Sequence, residues 1–329
     1  MAPSLDPYNR EITYLRVSVT DRCNLRCTYC MPVQNLKLLD HADILSYEEI
    51  LEVIRIATDL GVRKVRLTGG EPLLRRHFVH FVESVCRIPQ IEDVSVTTNG
   101  VLLQEMAAPL FEAGLRRINV SLDTLNPLKY RKITRRECFD AVWEGLQVAE
   151  AVGFSPIKVN VVAIRGLNDD ELQQFADLSV QRPFHVRFIE YMPIGRDSNW
   201  RSEKYISSDE IRCKLENFGP LHKIPHAIHD GPAERYHFES AAGEIGFISA
   251  MSHHFCPSCN RLRLTADGRL RPCLFADDEV DIKSPLRNGR SKEDLKEVFQ
   301  QAVARKPRRH HAEILAQGEC VRPMSTIGG

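Results

Sequence analysis

From residue 14 to 192 the chain alternates short β-branched apolar runs with amphipathic helical stretches. No other feature constrains the fold as tightly. The runs are YLRVSVT (14–20), KVRLTG (64–69), DVSVTTNG (93–100), RINVSLD (117–123), IKVNVVAI (157–164) and HVRFIEYM (185–192). Helical patterns lie between them at 75–87, 102–113, 138–152 and 169–180. A fifth covers SYEEILEVIRIATDLG, where Ile50, Leu51, Ile54, Ala57 and Leu60 recur near helical spacing. Ser46 suits its N-cap and Gly61 its C′ position. Six strands alternating with five helices predict a parallel sheet with right-handed crossovers. Either an open doubly wound sheet or a partial barrel satisfies this pattern.

Both architectures place ligands at the C-terminal ends of the strands. The unusual residues of this chain fall there: TDRC, TGGEP, TTNG, SLD and EYMPIG follow or end strands 1, 2, 3, 4 and 6. Their shared location says more than any one of them. A Gly-Gly pair at a strand end also lets a ligand approach the backbone closely.

Lys plus Arg equals Asp plus Glu, 44 of each. A broad nucleic-acid or membrane-surface role gains nothing from that balance. MAPSLDPYNREITY lacks the basic and apolar regions of a secretory signal, and no apolar run reaches about 18 residues. The chain is expected to be cytoplasmic, with no membrane and no nucleic acid among its partners. In a reducing compartment ten cysteines point away from disulfides and toward metal or redox chemistry wherever they cluster. Cys86, Cys138, Cys213 and Cys320 are isolated and read as packing or surface residues.

The other six cysteines form two triads. Cys23, Cys27 and Cys30 stand as C-x3-C-x2-C in the loop after strand 1. Thiolates suit iron–sulfur clusters or zinc, and structural zinc prefers four protein ligands. Three cysteines without a nearby fourth ligand suggest a [4Fe–4S] cluster with one iron left open. Cys256, Cys259 and Cys273 form the second triad, C-x2-C followed by a returning Cys. Spacing alone leaves two readings there: a Cys3His zinc site completed by His253 or His254, or a second cluster with an open iron.

CNLRCTYC together with Gly69-Gly70-Glu71-Pro72 resembles the radical S-adenosylmethionine superfamily. SVTDRCNLRCTYCMP, RLTGGEPLLRR, VTTNG, VSLDTL, RFIEYMPIG, CPSCNRLRLTADGRLRPCLF and the terminal MSTIGG narrow the resemblance. Over nearly the whole chain they resemble the GTP 3′,8-cyclase family of molybdenum cofactor biosynthesis. The resemblance implies a lyase with two [4Fe–4S] clusters and S-adenosyl-L-methionine. One cluster, at Cys23, Cys27 and Cys30, would bind S-adenosylmethionine; the other, at Cys256, Cys259 and Cys273, would bind the substrate. His253 and His254 then become loop residues. It further implies S-adenosylmethionine contacts at Tyr29, Gly70, Ser121 and Met192, and GTP contacts at Arg16, Arg66, Thr97, Lys158, Arg261, Leu262 and Arg263. No catalytic residue is assigned beyond cluster and cofactor. GTP carries several negative charges, so converging Arg and Lys at strand ends make physical sense.

The implied reaction takes the C3′ hydrogen of GTP and joins C3′ to C8, giving (8S)-3′,8-cyclo-7,8-dihydroguanosine 5′-triphosphate. The implied partners are a flavodoxin- or ferredoxin-like electron donor, a downstream cyclic pyranopterin monophosphate synthase and a second copy in a homodimer. Two other readings compete: a radical enzyme with an auxiliary cluster that modifies a peptide, and a non-enzymatic zinc protein. A peptide-modifying enzyme would usually carry a larger second cysteine set. It would also leave the basic residues of strands 1, 2 and 5 without a triphosphate to meet.

After about residue 222 the composition turns Pro- and His-rich, and two antiparallel hairpins are expected, the second turning at Ala266-Asp267-Gly268. The expected architecture is a partial (βα)6 TIM-type barrel over residues 1–222. A cluster- and GTP-binding α+β region, 223–329, would close the barrel mouth. A Gly-Gly terminus defaults to frayed coil. The resemblance instead implies that Gly328 and Gly329 reach the active site.

Overall fold

The computed structural model describes residues 4–31, 38–195, 200–225, 231–310 and 322–328. Six parallel strands appear within two residues of the sequence expectation. They are β1 (Tyr14–Ser18), β2 (Lys64–Thr68), β3 (Asp93–Thr98), β4 (Arg117–Ser121), β5 (Ile157–Ala163) and β6 (Phe184–Glu190). Each pairs in parallel with the next in sequence. A doubly wound sheet reverses its strand order at a switch point. This sheet runs 1-2-3-4-5-6 without reversal, so all crossovers progress one way and the sheet curls as a barrel wall.

The five expected helices are present as α1 (Tyr47–Asp59), α2 (Phe78–Cys86), α3 (Leu103–Glu112), α5 (Phe139–Val152) and α6 (Leu172–Gln181). Ser46 caps α1 through a capping box with Glu49, and Gly61 follows at φ 100°. A sixth helix, α4 (Pro127–Thr134), was not expected; Asn126 caps it and Pro127 opens it. Alternate strand residues such as Leu15, Val17, Val65, Leu67, Val120 and Val159 are buried in one core with the apolar helix faces. That leaves the other strand face, with Arg16, Arg66, Asn119, Lys158 and Arg187, to the barrel interior.

The sheet continues past the partial barrel at both edges. It is joined by β7 (Leu221–Ile224), β8 (Glu234–Phe238), β9 (Glu244–Ile248), β10 (Arg261–Leu264), β11 (Arg269–Arg271) and β12 (Val280–Asp281). β9 pairs in parallel with β6 and carries β8 and β7 antiparallel. β10 pairs in parallel with β1 and carries β11 and β12 antiparallel. The outermost strands, β7 and β12, do not meet, so the barrel stays open. After β6 come α7 (Ser208–Glu216), α8 (Lys283–Arg287), α9 (Lys292–Ala304) and the four-residue α10 (Met324–Ile327). Among the described residues no helix is long and apolar enough to cross a membrane.

Candidate active site

The first triad sits in the loop leaving β1, and that loop is fastened on three sides. Gly70 N–H donates to Thr20 O at 2.6 Å and Glu71 N–H to Arg22 O at 2.7 Å. Arg26 and Thr28 N–H donate to Thr134 and Ile133 O at the end of α4, both at 2.9 Å. Asn99 Nδ2 reaches Asn24 Oδ1 at 2.7 Å and Cys23 Sγ at 3.7 Å. The glycine pair has a specific reason here. A Cβ on Gly70 would lie 2.3 Å from Arg22 O, and one on Gly69 2.6 Å from Thr20 O. The close approach is made by the cysteine loop itself. Gly70→Ala is therefore expected to displace that loop, with a loss of about 1–3 kcal/mol or more. Calorimetry and iron content of the anaerobically prepared variant check this; an unchanged melting temperature and full iron would contradict it.

Two buried carboxylates brace the same region. Glu71 accepts from Thr98 Oγ1 and Asn99 N at 2.7 Å and from Leu73 N at 3.0 Å; burial lifts its carboxyl to about 7. Asp123, ending the SLD segment, accepts from Tyr29 Oη at 2.6 Å and Val162 N at 2.8 Å. Burial raises it to about 6. The thiols press on one another. Burial, then Cys30, Asp123 and Cys23, push Cys27 well above its ordinary value; burial, Cys23 and Asp123 push Cys30 to about 12.

The second triad is built from a 3-10 turn at Cys256–Ser258, with Cys259 next and Cys273 after β11. Arg10, ion-paired to Asp6, donates to Cys256 O and Pro307 O, both at 2.7 Å. Burial opposes ionisation of Cys259, but the cations of Arg261 and Lys306 carry its thiol down to about 6. The loop entering the triad hangs from Glu190 at the end of β6, which accepts from Met251 N at 2.6 Å and Ser252 N at 2.9 Å. His253 turns outward to Asp209, and the His254 ring stands edge-on to His310.

One short element meets both triads. The Ser325 backbone, in α10, hydrogen-bonds Cys30, and Met324 and Ile327 share an apolar cluster with Met192, Ile194, Phe275 and Cys273. The tail is thus a helix end docked in the barrel mouth, not frayed coil. Gly328 stands at φ 75°, its carbonyl accepting from Arg263 Nη1 at 2.7 Å. Gly329 lies outside the described residues.

Below the mouth the barrel interior is crowded with cations. Register sets Arg16 beside Arg66 and Arg263, Tyr14 beside Lys64 and Arg261, and Asn119 between Thr97 and Lys158. Burial, Arg187, Arg117, Arg66 and Lys64 drive Lys158 down to about 5. Burial, Arg66 and Arg117 bring Arg187 to about 9; burial, Arg66 and Arg261 bring Arg16 to about 10. Burial alone would raise the Tyr14 phenol, yet Arg66, Arg16, Lys64 and Arg261 pull it below its usual value. Thr97 Oγ1, Asn119 Oδ1, Asn160 Oδ1 and Tyr14 Oη are buried without a hydrogen-bond partner among the described residues. An anionic ligand with hydroxyl and base edges would satisfy both conditions at once.

Ser121 ends β4 two residues before Asp123, and Met192 joins the mouth cluster. Leu262 does not share the interior: its side chain is buried in the apolar core behind the sheet. Arg187, Lys64 and Arg117 were not picked out from the sequence, while Asn99 and Asp123 stood within TTNG and SLD without an assigned role. The signal for the first two was the polar alternation within HVRFI and KVRLT.

Both triads fit iron–sulfur clusters. In the first triad the half-buried thiols Cys27 and Cys30 are held protonated by burial and by the neighbouring thiols, and coordination to iron would deprotonate them. Among the described residues no three His, Cys, Asp or Glu side chains converge as the ligands of a single ion would. A cluster instead spreads its cysteines over separate irons.

Residues 17–179 match the Radical SAM superfamily and residues 184–312 match Molybdenum Cofactor Synthesis C. A GTP 3′,8-cyclase of Thermodesulfovibrio yellowstonii is 51% identical over 98% of this chain and 99% of its own. One of Desulforamulus reducens is 49% identical over 99% and 100%. Among solved structures, Streptococcus suis SuiB bound to S-adenosylmethionine superposes with a TM-score of 0.59 at 15% identity. It covers 89% of this chain and 69% of that one. SuiB alone gives 0.60 at 16%, covering 89% and 67%. At these identities the likeness speaks for the fold.

Proposed function

The chain belongs to the GTP 3′,8-cyclase family, and from that membership we propose which of its residues hold the reactants. It is a radical S-adenosylmethionine enzyme of molybdenum cofactor biosynthesis that cyclises GTP between C3′ and C8. When bound, the first cluster and S-adenosylmethionine supply the 5′-deoxyadenosyl radical that takes the C3′ hydrogen.

Cys23, Cys27 and Cys30 would hold that cluster, and Cys256, Cys259 and Cys273 the second. Tyr29, Gly70, Ser121 and Met192 would shape the S-adenosylmethionine pocket at the strand ends. Tyr29 would be oriented by its bond to Asp123. Arg16, Arg66, Thr97, Lys158, Arg261, Arg263 and the Leu262 backbone would take GTP, with Arg187 adding charge from the same interior. Gly328 and Gly329 would close the mouth. We further propose a flavodoxin- or ferredoxin-like electron donor, a downstream cyclic pyranopterin monophosphate synthase, a homodimer and a cytoplasmic setting. The division at about residue 222 is likewise proposed as a functional one, barrel against auxiliary-cluster region.

The cation-lined interior beneath two thiol triads carries this reading. A triphosphate neutralises the charge, and enclosure keeps a radical from side reactions. Anaerobic incubation with S-adenosylmethionine, reductant and GTP should yield 5′-deoxyadenosine only when GTP is present. Formation that ignores GTP would reject these substrate contacts. The preparation should hold about eight irons per chain, two cubanes' worth.

The interior also predicts proton uptake. With its pKa near 5, Lys158 is neutral in the ligand-free chain at neutral pH, and a triphosphate favours its charged form. GTP binding should therefore take up a proton near pH 7 and weaken as pH rises. Titration calorimetry in buffers of different ionisation enthalpy reads this directly; buffer-independent heats would contradict it.

A further inference from the structure

Lys306, just past the end of α9, has no part in the reactant contacts above, and it is only 4% exposed. An ammonium brings three N–H donors, each costly to bury unpaired. Three acceptors surround this one. Nζ donates to Arg261 O at 2.7 Å and to Pro272 O at 2.9 Å, and it hydrogen-bonds the sulfur of Cys259.

The positions of the two carbonyls matter. Arg261 lies two residues after Cys259, and Pro272 lies one residue before Cys273. One ammonium therefore ties together the two chain segments that deliver the second triad. Its own backbone is held in turn, because Arg10 bridges Pro307 O and Cys256 O. Among the described residues no carboxylate pairs with Lys306.

We propose that Lys306 is a positioning residue of the second cluster: it clamps the two cysteine-bearing segments and donates a charged hydrogen bond to the Cys259 sulfur, stabilising the cluster's reduced state. This rests on the reading that the second triad holds an iron–sulfur cluster. Reduction adds negative charge to such a cluster, so a cation and a hydrogen bond at a ligand sulfur raise its potential.

The test is an anaerobic redox titration followed by electron paramagnetic resonance, which reads both clusters in the same chain. Lys306→Met removes donors and charge. The second cluster's potential should shift downward while the first stays in place. Lys306→Gln keeps N–H donors without charge and should shift it less. Loss of the second cluster in the Met variant, with iron falling from about eight to about four per chain while the Gln variant keeps it, also supports the clamp. An unmoved second potential in a Met variant with full iron overturns the proposal. If the Met variant does not fold, an unmoved potential in the Gln variant overturns it, and a downward shift there supports it. Native protein with only about four irons would sink the second-cluster reading itself and take this proposal with it.

Discussion

Lys158→Met is expected to make the GTP-free enzyme more stable and its grip on GTP far weaker. Lys158 is 5% exposed, and the charges that act on it most are Arg187, Arg117, Arg66 and Lys64, with Arg117 and Lys64 both ion-paired to Asp93. Folding at neutral pH strips the proton from this amine, at about 1.4 kcal/mol per pH unit below the ordinary lysine value, and a methionine of similar length avoids that cost. The same change removes one cation from the triphosphate, which costs roughly 2–5 kcal/mol. That is between about thirty-fold and several thousand-fold in Kd. The sign with pH follows from linkage. Lys158 has a folded pKa near 5, below the ordinary lysine value, so the unfolded chain binds more protons between those limits. Stability from this group is full above the ordinary value and drains away as pH falls toward 5. Melting curves of the native enzyme should rise with pH across the neutral range more steeply than those of the variant. Equal affinity and equal melting temperature would sink the idea that this interior is a strained anion site.

The second large effect concerns the tail. Deleting Gly328 and Gly329 should lower turnover by roughly a hundred-fold or more, the scale of losing alignment at a reacting centre. Both clusters should remain, since no cysteine is removed. Gly328 O receives the Arg263 guanidinium, whose charge is strongly disfavoured by burial and by Arg16 and Arg261. A side chain at Gly328 would sit 3.0 Å from Thr68 Cγ2 and 3.1 Å from Ser18 Cβ, at a φ of 75°. Gly328→Ala alone should thus produce part of the loss, and the iron content of each variant separates misalignment from cluster loss. Undiminished turnover in the deletion would remove the tail from the active site.

Much of the barrel was legible because its signals are local. A two-residue period marks a strand and a 3.6-residue period a helix, whatever the distant chain does. α4 escaped because PLKYRKIT is short and largely polar, with no wide apolar face to announce it, although Asn126-Pro127 was a start signal. The sheet's growth at both edges was not legible either. β9 and β10 find parallel partners in β6 and β1, about 60 and 250 positions away in the chain, and nothing in a hairpin sequence names such a partner. Leu262 shows how a local period refines a motif. It alternates with Arg261 and Arg263, so the strand turns it to the apolar core.

The cysteines came through whole, since ligand type and spacing are properties of the chain itself. By itself the sequence determined the βα alternation, the two thiol triads and, through family resemblance, the reaction. Only the tertiary structure decided what those triads face. Arg16, Arg66 and Arg263 come from three separate strands and meet only through hydrogen-bond register. Lys306 reaches Cys259 only because α9 packs on β11 and β12. Burial and neighbouring charge, which move Lys158 and Cys259 in opposite senses relative to their ionised forms, are sums over distant residues. No local window of sequence contains them.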